Sequence, residues 1–358
     1  MRIRAVRRLE VSKRNLVTVR ILSVIVALLT ASLVFLAYGL NPLEVYRSIF
    51  LNAFATEIGL TESVVRMIPL LLVSSGLALV FRTGFWNIGA EGQLLAGAMA
   101  SYLLAVELPE LSPLILLPAL FAVGFVAGAI WGIPPAVLKA KLNVNEVIST
   151  LMLYYVLYWV FQHLIHGPWK AREKVGKLTY GGFAHTEVIP EHSQLPLLPG
   201  TRIHWPTLII AVVASVLVYF LLTRTPWGYE MRVVGSNPDA AKAAGISYLK
   251  AVTLAMMVSG GLAGLAGVGE LCGIQKRFTP EFLSGYGFSG IITAWLGGTN
   301  PISLIITNFL YGGLLVGGEY IMITYRLPIG VVDMFNGIIL FFVLAGEFFI
   351  RYELRREK

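Results

Sequence analysis

The run Phe81-Arg82-Thr83-Gly84-Phe85-Trp86-Asn87-Ile88-Gly89-Ala90-Glu91-Gly92-Gln93 combines groups that rarely occur together in an apolar sequence. Three glycines permit a sharply bent or unwound chain. Asn87 and Gln93 offer hydrogen-bond donors and acceptors. Glu91 suits the positive end of a helix start. Phe85 and Trp86 present aromatic faces on which a flat ring can stack. Such groups suit recognition and passage of a polar solute rather than bond making. Apolar segments flank the run on both sides. Backbone that irregular at membrane depth survives only where protein or a water-filled cavity satisfies its amides, and an ionisable residue there marks function by default. The expectation is a polar path lined by Phe85, Trp86, Asn87, Glu91 and Gln93. An interfacial loop with an aromatic belt is the plainer alternative.

Two further segments carry polar information. In Asn143-Val144-Asn145-Glu146-Val147-Ile148-Ser149-Thr150, Asn145 is a good N-cap and Glu146 suits the first helical turn. Asn145 and Glu146 join the candidate path set, although capping alone accounts for both. In Ser236–Ile246, Asn237 reads as N-cap, Pro238 as the first helical residue, Asp239 as a first-turn acid and Gly245 as the stop. A helix that short is unstable alone in water and needs something to dock against. Its small alanine face suits a groove on a partner; folding back on its own bundle is the alternative. Gly285-Tyr286-Gly287-Phe288-Ser289-Gly290 and Leu296-Gly297-Gly298-Thr299-Asn300-Pro301 form a second glycine-rich, polar-edged stretch resembling the first in character.

These segments sit in a chain of membrane composition. Of 358 residues, 56% are hydrophobic and 13% charged, with mean hydropathy +0.75; soluble domains carry about 25% charged residues. The single cysteine, Cys272, rules out an intrachain disulfide and any cysteine cluster for zinc or iron–sulfur. His163, His166, His185, His192 and His204 show no ligand spacing, so no metal site is expected. No nucleophile–base pairing suggests catalysis. The net charge of +8 gathers at the ends of apolar segments, which speaks for membrane orientation and against nucleic acid. No Gly-x-x-x-x-Gly-Lys-Ser/Thr occurs, so ATP, if it drives the process, binds to another polypeptide.

Apolar segments fall at roughly 19–39, 64–81, 90–106, 113–137, 146–165, 206–222, 250–269, 286–300, 302–323 and 330–350. The fold expected is an all-α integral membrane protein of about ten transmembrane helices. A span needs about 20 residues, so 90–106 and 286–300 are short; short, glycine-interrupted segments point to a central path built from broken helices. An even number of spans puts both termini on one side. Arg2, Arg4, Arg7, Arg8, Lys13, Arg14 and Arg20 at one end and Arg351, Arg355, Arg356 and Lys358 at the other place that side in the cytoplasm, and most of the 28 Lys and Arg then lie inside. The organisation is a basic cytoplasmic N-terminus (1–20), a transmembrane domain (21–350) with an outer loop (166–205) and a cytoplasmic loop (223–250), and a cytoplasmic tail (351–358). The first apolar run is too long for a secretory signal and reads as an uncleaved span. Gly124/Gly128/Gly132, Gly260/Gly264 and Gly313/Gly317 are small residues at helical spacing, read first as bundle packing and, for one of them, as a dimer face.

"TGFWNIGAEGQ" at 83–93, "NEVISTLML" at 145–153, "GYGFSGI" at 285–291 and "LGGTNP" at 296–301 resemble, in order, the motifs of permease subunits of ABC importers in the ribose/branched-chain amino acid permease superfamily, nucleoside and simple-sugar branch. The likeness runs from about residue 20 to 350. It implies one transmembrane half of an importer in a bacterial or archaeal cytoplasmic (inner) membrane, paired with a second permease or with a copy of itself. Two ATP-binding subunits would carry ATP and Mg, and an extracytoplasmic substrate-binding lipoprotein would deliver solute; this chain would bind no cofactor. The place of the loop 223–250 matches the family's coupling helix, so that Asn237, Pro238, Asp239, Ala240, Ala241, Ala244, Gly245 and Ile246 would face the ATPase. Nucleosides are the solute the resemblance favours, with sugar or branched-chain amino acid import next. The outer loop is long for the simple-sugar permeases and suits the nucleoside type. From another class, an ion-coupled secondary transporter would use Glu91, Glu319 or Asp333.

Overall fold

The computed structural model describes residues 2–7, 13–171, 173–175, 178–180 and 182–357. Arg8, Arg172, Lys177 and Lys358, which entered the charge reading, lie outside the described residues. Helices dominate: α1 (Lys13–Ala37), α2 (Pro42–Phe54), α3 (Glu57–Phe81), α4 (Ala90–Glu107), α5 (Pro113–Leu142), α6 (Glu146–His166), α7 (Trp205–Arg224), α8 (Pro226–Ser236), α9 (Pro238–Ala243), α10 (Tyr248–Gly269), α11 (Tyr286–Leu296), α12 (Pro301–Thr324) and α13 (Ile329–Arg351). Among the described residues, strands are confined to the chain ends and one loop. β1 (Arg2–Arg7) pairs antiparallel with β4 (Tyr352–Glu357), Arg2 opposite Glu357, and β2 (Glu173–Val175) with β3 (Leu178–Tyr180).

All ten expected apolar segments are helical. Among the described residues eight helices are long and apolar enough to cross a bilayer. The two that are not are α4 and α11, the pair already short in the sequence; the 11 residues of α11 reach only ~16 Å, half the hydrocarbon thickness. The chain is a multi-pass membrane protein. Local signals explain the helix boundaries. Asn41, Asn145, Thr225, Asn237 and Ser247 cap α2, α6, α8, α9 and α10, each accepting from backbone N–H groups of the first turn. α5 ends at Asn143, which takes the left-handed conformation (φ 53°). Pro118, Pro134 and Pro135 lie inside α5, a placement that transmembrane helices tolerate.

Contacts divide the chain into two compact units, residues 1–63 with 313–358, and residues 64–312. In the first, α1 packs along α13. Phe35, fully buried, meets Tyr46 edge-on (5.7 Å) and Phe335 at 5.8 Å. α2 was not among the expected segments; it is a 13-residue helix with apolar residues on one face, and Val45, Ile49 and Ala53 are its buried side.

In the second unit α10 is the buried axis, packed against α5 and α4. The packing is backbone to backbone. A Cβ placed on Gly260 would fall 2.3 Å from the Gly128 carbonyl oxygen, and one on Gly128 would fall 2.1 Å from that of Gly260. No other residue permits this approach, which maximises dispersion contact where lipid supplies no hydrophobic drive between helices. The glycine spacing in 124–132 and 260–264 is thus bundle packing. Outward faces stay apolar: Leu114, Ile115, Val126 and Ile130 on α5 and Ile209, Val213, Val216 and Leu217 on α7 are exposed, as lipid contact requires.

Candidate functional site

The chain leaves α3 at Phe81, unwinds, and re-enters helix at Ala90. Within this bend Asn87 is fully buried; its Nδ2 donates to Gln93 Oε1 (2.9 Å) and its Oδ1 accepts from Gly89 N (3.1 Å). Asn87 and Gln93 therefore hold one another across the first turn of α4. Ile88 N donates to Thr150 Oγ1 (3.2 Å) on α6, so a neighbouring helix satisfies part of the unwound backbone, as irregular chain at membrane depth requires.

Glu91 is 1% exposed. Its Oε1 accepts from Gly285 N (2.9 Å) and its Oε2 from Gly287 N. Those N–H groups belong to the start of α11, while Glu91 lies in the first turn of α4. One carboxylate thus sits where two helix starts meet, compensating both positive ends and capping the second. The loop Phe81–Gln93 and the glycine-rich stretch at 285–290, similar in sequence character, are in contact.

Two residues outside the sequence expectation belong to this constellation. Arg66 on α3 donates from Nη1 to the hydroxyl of Tyr286 (2.9 Å), which is 2% exposed. Glu270, 4% exposed, stands where α10 widens into a π-helical turn, Glu270–Gln275; such turns frequently mark functional sites. Glu270 accepts a hydrogen bond from Gln275 and lies within electrostatic range of Arg66, Arg202 and Glu91. Two buried carboxylates, a guanidinium and a phenol therefore gather around the starts of α4 and α11.

The aromatic residues are placed differently from one another. Phe85 is 1% exposed, a core residue. Trp86 is half-buried and stacks on Trp295 (5.4 Å, 28°), which also stacks on Phe81 (5.1 Å, 20°). Asn145 is exposed and caps α6 through Val147 N (2.9 Å), and Glu146 forms an ion pair with Lys139 (3.0 Å). The structure brings Asn87, Glu91 and Gln93 together with Thr150 and leaves Asn145 and Glu146 at the helix entrance.

The segment 182–204 folds back on the chain that follows α10. Leu195 N donates to Cys272 O (2.9 Å), Ile189 N to Lys276 O (2.8 Å) and Thr186 N to Phe278 O (3.0 Å). This satisfies carbonyls of the π turn and of the irregular chain beyond it. His204, fully buried and packed on Gly273, has no hydrogen-bond partner for either ring nitrogen among the described residues. Burial and the charge of Arg202 push it down to about 4.

The expected short helix is α9. Asn237 Oδ1 accepts from Asp239 N and Ala240 N (both 3.1 Å). Pro238, Asp239, Ala240 and Ala244 are exposed, Ala241 is 1% exposed and turned inward, and Gly245 ends the segment at φ +77°. Ile246 is half-buried and its N–H donates to Ala241 O (2.9 Å).

Among the described residues no cluster of His, Cys, Asp or Glu is arranged to hold a metal ion. The family model for the branched-chain amino acid transport system permease component matches residues 59–344. The glucose ABC transporter permease protein of Haloferax volcanii is 33% identical over 93% of this chain and 88% of its own. The nucleoside ABC transporter permease protein of Lactococcus lactis is 31% identical over 97% and 95%. The guanosine ABC transporter permease protein of Bacillus subtilis is 31% identical over 95% and 96%. No solved structure matches. With the membrane helices, the broken-helix polar site and these full-length likenesses together, the chain belongs to the ABC transporter permease family of the branched-chain amino acid and ribose type.

Proposed function

We propose that this permease is the transmembrane half of an ATP-driven importer of nucleosides, with the polar groups around Glu91 lining its path. The observation that supports nucleosides is likeness over nearly the whole length of two relatives that carry that description. Trp86, Asn87, Glu91 and Gln93, with Asn145 and Glu146 at the entrance, are the path residues in this reading, and Arg66, Glu270 and Tyr286 join them; Phe85, buried in the core, supports the bend from behind. A sugar is the second reading, favoured by the 33% identity to the glucose permease.

ATP and Mg belong to separate ATP-binding subunits, which dock on the segment formed by Asn237, Pro238, Asp239, Ala240, Ala244, Gly245 and Ile246. The exposure of Ala240 and Ala244 supports an external partner there; Ala241 acts by seating α9 on its own bundle. A second permease completes the path. Support comes from organisms whose similar permeases occur as two distinct chains, the guanosine pair of Bacillus subtilis and the nucleoside pair of Lactococcus lactis. A substrate-binding lipoprotein delivers solute to the outer loop 166–205. The termini, residues 1–20 and 351–358, and the loop 223–250 face the cytoplasm, with residues 21–350 as the transmembrane domain.

The test is ATP hydrolysis by the complex purified from its own membrane and reconstituted with its binding protein. Stimulation by guanosine or adenosine at micromolar concentration, with none by glucose, supports the nucleoside reading. Stimulation by glucose alone replaces it with the sugar reading. A chain that purifies alone and transports without ATP overturns the importer reading.

A further inference from the structure

A cavity of about 350 Å3 opens where the ends of α7 and α8, the start of α12 and the first residue after α3 converge. Its lining includes Arg82, Arg232, Thr223, Asn300, Tyr219 and Leu222, and contains two guanidinium groups and no carboxylate. Both cations are held toward it by backbone. Arg82 donates from Nη2 to the carbonyl of Thr299 (3.3 Å), and Arg232 from Nη1 to that of Leu222. Asn300 caps α12, its Oδ1 accepting from Ile302 N (3.2 Å), so the positive end of a 24-residue helix points to the same space.

The helices that carry the lining are apolar next to it. Tyr219, in the lining, is 40% exposed, and outside the lining Phe220 on α7 and Ile302 and Ile306 on α12 are 56%, 40% and 67% exposed. A ligand filling this site therefore needs an anionic head and an apolar body. Guanidinium groups match phosphate oxygens in geometry and charge, and basic pockets between membrane helices select anionic headgroups. We propose that the cavity binds an anionic phospholipid, its phosphate between Arg82 and Arg232 and its acyl chains along α7 and α12. Arg82 opens the bend that leads to Glu91, and Arg232 stands on α8, so the bound phosphate ties that bend to α8.

The experiment is native mass spectrometry of the full-length protein, delipidated in a neutral detergent and given equal amounts of phosphatidylglycerol and phosphatidylcholine with the same acyl chains. The expected result is preferential retention of phosphatidylglycerol, reduced about fivefold by Arg82→Gln or by Arg232→Gln. Asn300→Asp keeps the capping oxygen of α12, so the helix start is retained, and it places a negative charge at the cavity; it lowers retention to the same degree. Arg224→Gln, an exposed cation outside the lining, leaves retention unchanged. Equal retention of the two lipids, or undiminished phosphatidylglycerol in both Arg82→Gln and Asn300→Asp, overturns the proposal. So does an equal loss in Arg224→Gln, which would mean diffuse surface charge. Displacement of the lipid by millimolar inorganic phosphate or glycerol phosphate overturns the lipid assignment in favour of a free phosphate ligand.

Discussion

The carbonyl oxygen of Arg82 lies against the α-carbon of Gly235: a Cβ built on Gly235 would fall 2.1 Å from that oxygen. Gly235 is in the last turn of α8, immediately before α9, and Arg82 opens the bend that carries Asn87 and Glu91. In the proposed complex, a displacement of α9 by its docked partner would reach the bend through this backbone contact rather than through flexible side chains. Gly235→Ala forces that contact apart. The expected outcome is a complex that reaches the membrane and hydrolyses ATP but transports severalfold less solute per ATP. Transport reduced only in proportion to membrane abundance would show that the contact transmits nothing.

Glu91→Gln keeps the size of the side chain and one acceptor oxygen, but removes the charge facing two helix starts. Hydrogen bonds to charged groups contribute about 1.5–3 kcal/mol, so a lower melting temperature is expected in detergent. The path role adds a second effect, namely that transport falls by more than abundance does. Uptake divided by immunodetected protein separates the two, and a constant ratio would assign Glu91 a purely structural role.

How much of this site was legible in the sequence differs from residue to residue. Asn237 and Pro238 announced α9, and Asn145 announced the start of α6, because capping chemistry is local. The bend at 81–93 was legible because its glycines and polar groups interrupt apolar sequence. Its partner was not. Which N–H groups Glu91 meets, those of Gly285 and Gly287, depends on packing across about 200 residues of chain, and nothing local encodes it. Glu270 carried a signal that the apolar reading ended one residue too early to use: a lone acid continuing a glycine-rich membrane helix is a functional candidate by default. Arg66 lies at the edge of the apolar part of α3, where a basic residue reads as snorkelling toward the interface; its bond to Tyr286 places it in the site. α2 escaped because 13 amphipathic residues do not register as an apolar run, although Asn41-Pro42 marks its start.

The Gly128–Gly260 contact makes a prediction about folding rather than transport. Leucine at Gly260 has no room between the backbones of α5 and α10, and overpacking of this kind costs about 1–3 kcal/mol or more. Gly260→Leu is expected to lower membrane abundance severalfold. Gly330→Ala, where no atom lies within 4 Å of the added methyl group, should leave abundance unchanged. Similar abundance of the two variants would contradict the close packing.

His204 sets an acid limit on stability. In the fold it is buried and held near 4, whereas in the unfolded chain it titrates near its ordinary 6.5. Its folded value is depressed, so the folded state favours the neutral ring. The full contribution is present above about pH 6.5 and is lost progressively as pH falls from there toward 4, because the unfolded chain binds the proton and the folded one resists it. At pH 5 the loss amounts to about 2 kcal/mol by linkage. His204→Phe removes the titrating group from this buried place and should flatten the difference in melting temperature between pH 7.5 and pH 5. Melting curves of the purified protein at those two pH values decide the matter: an equally steep pH dependence in the variant would locate the acid sensitivity in another residue.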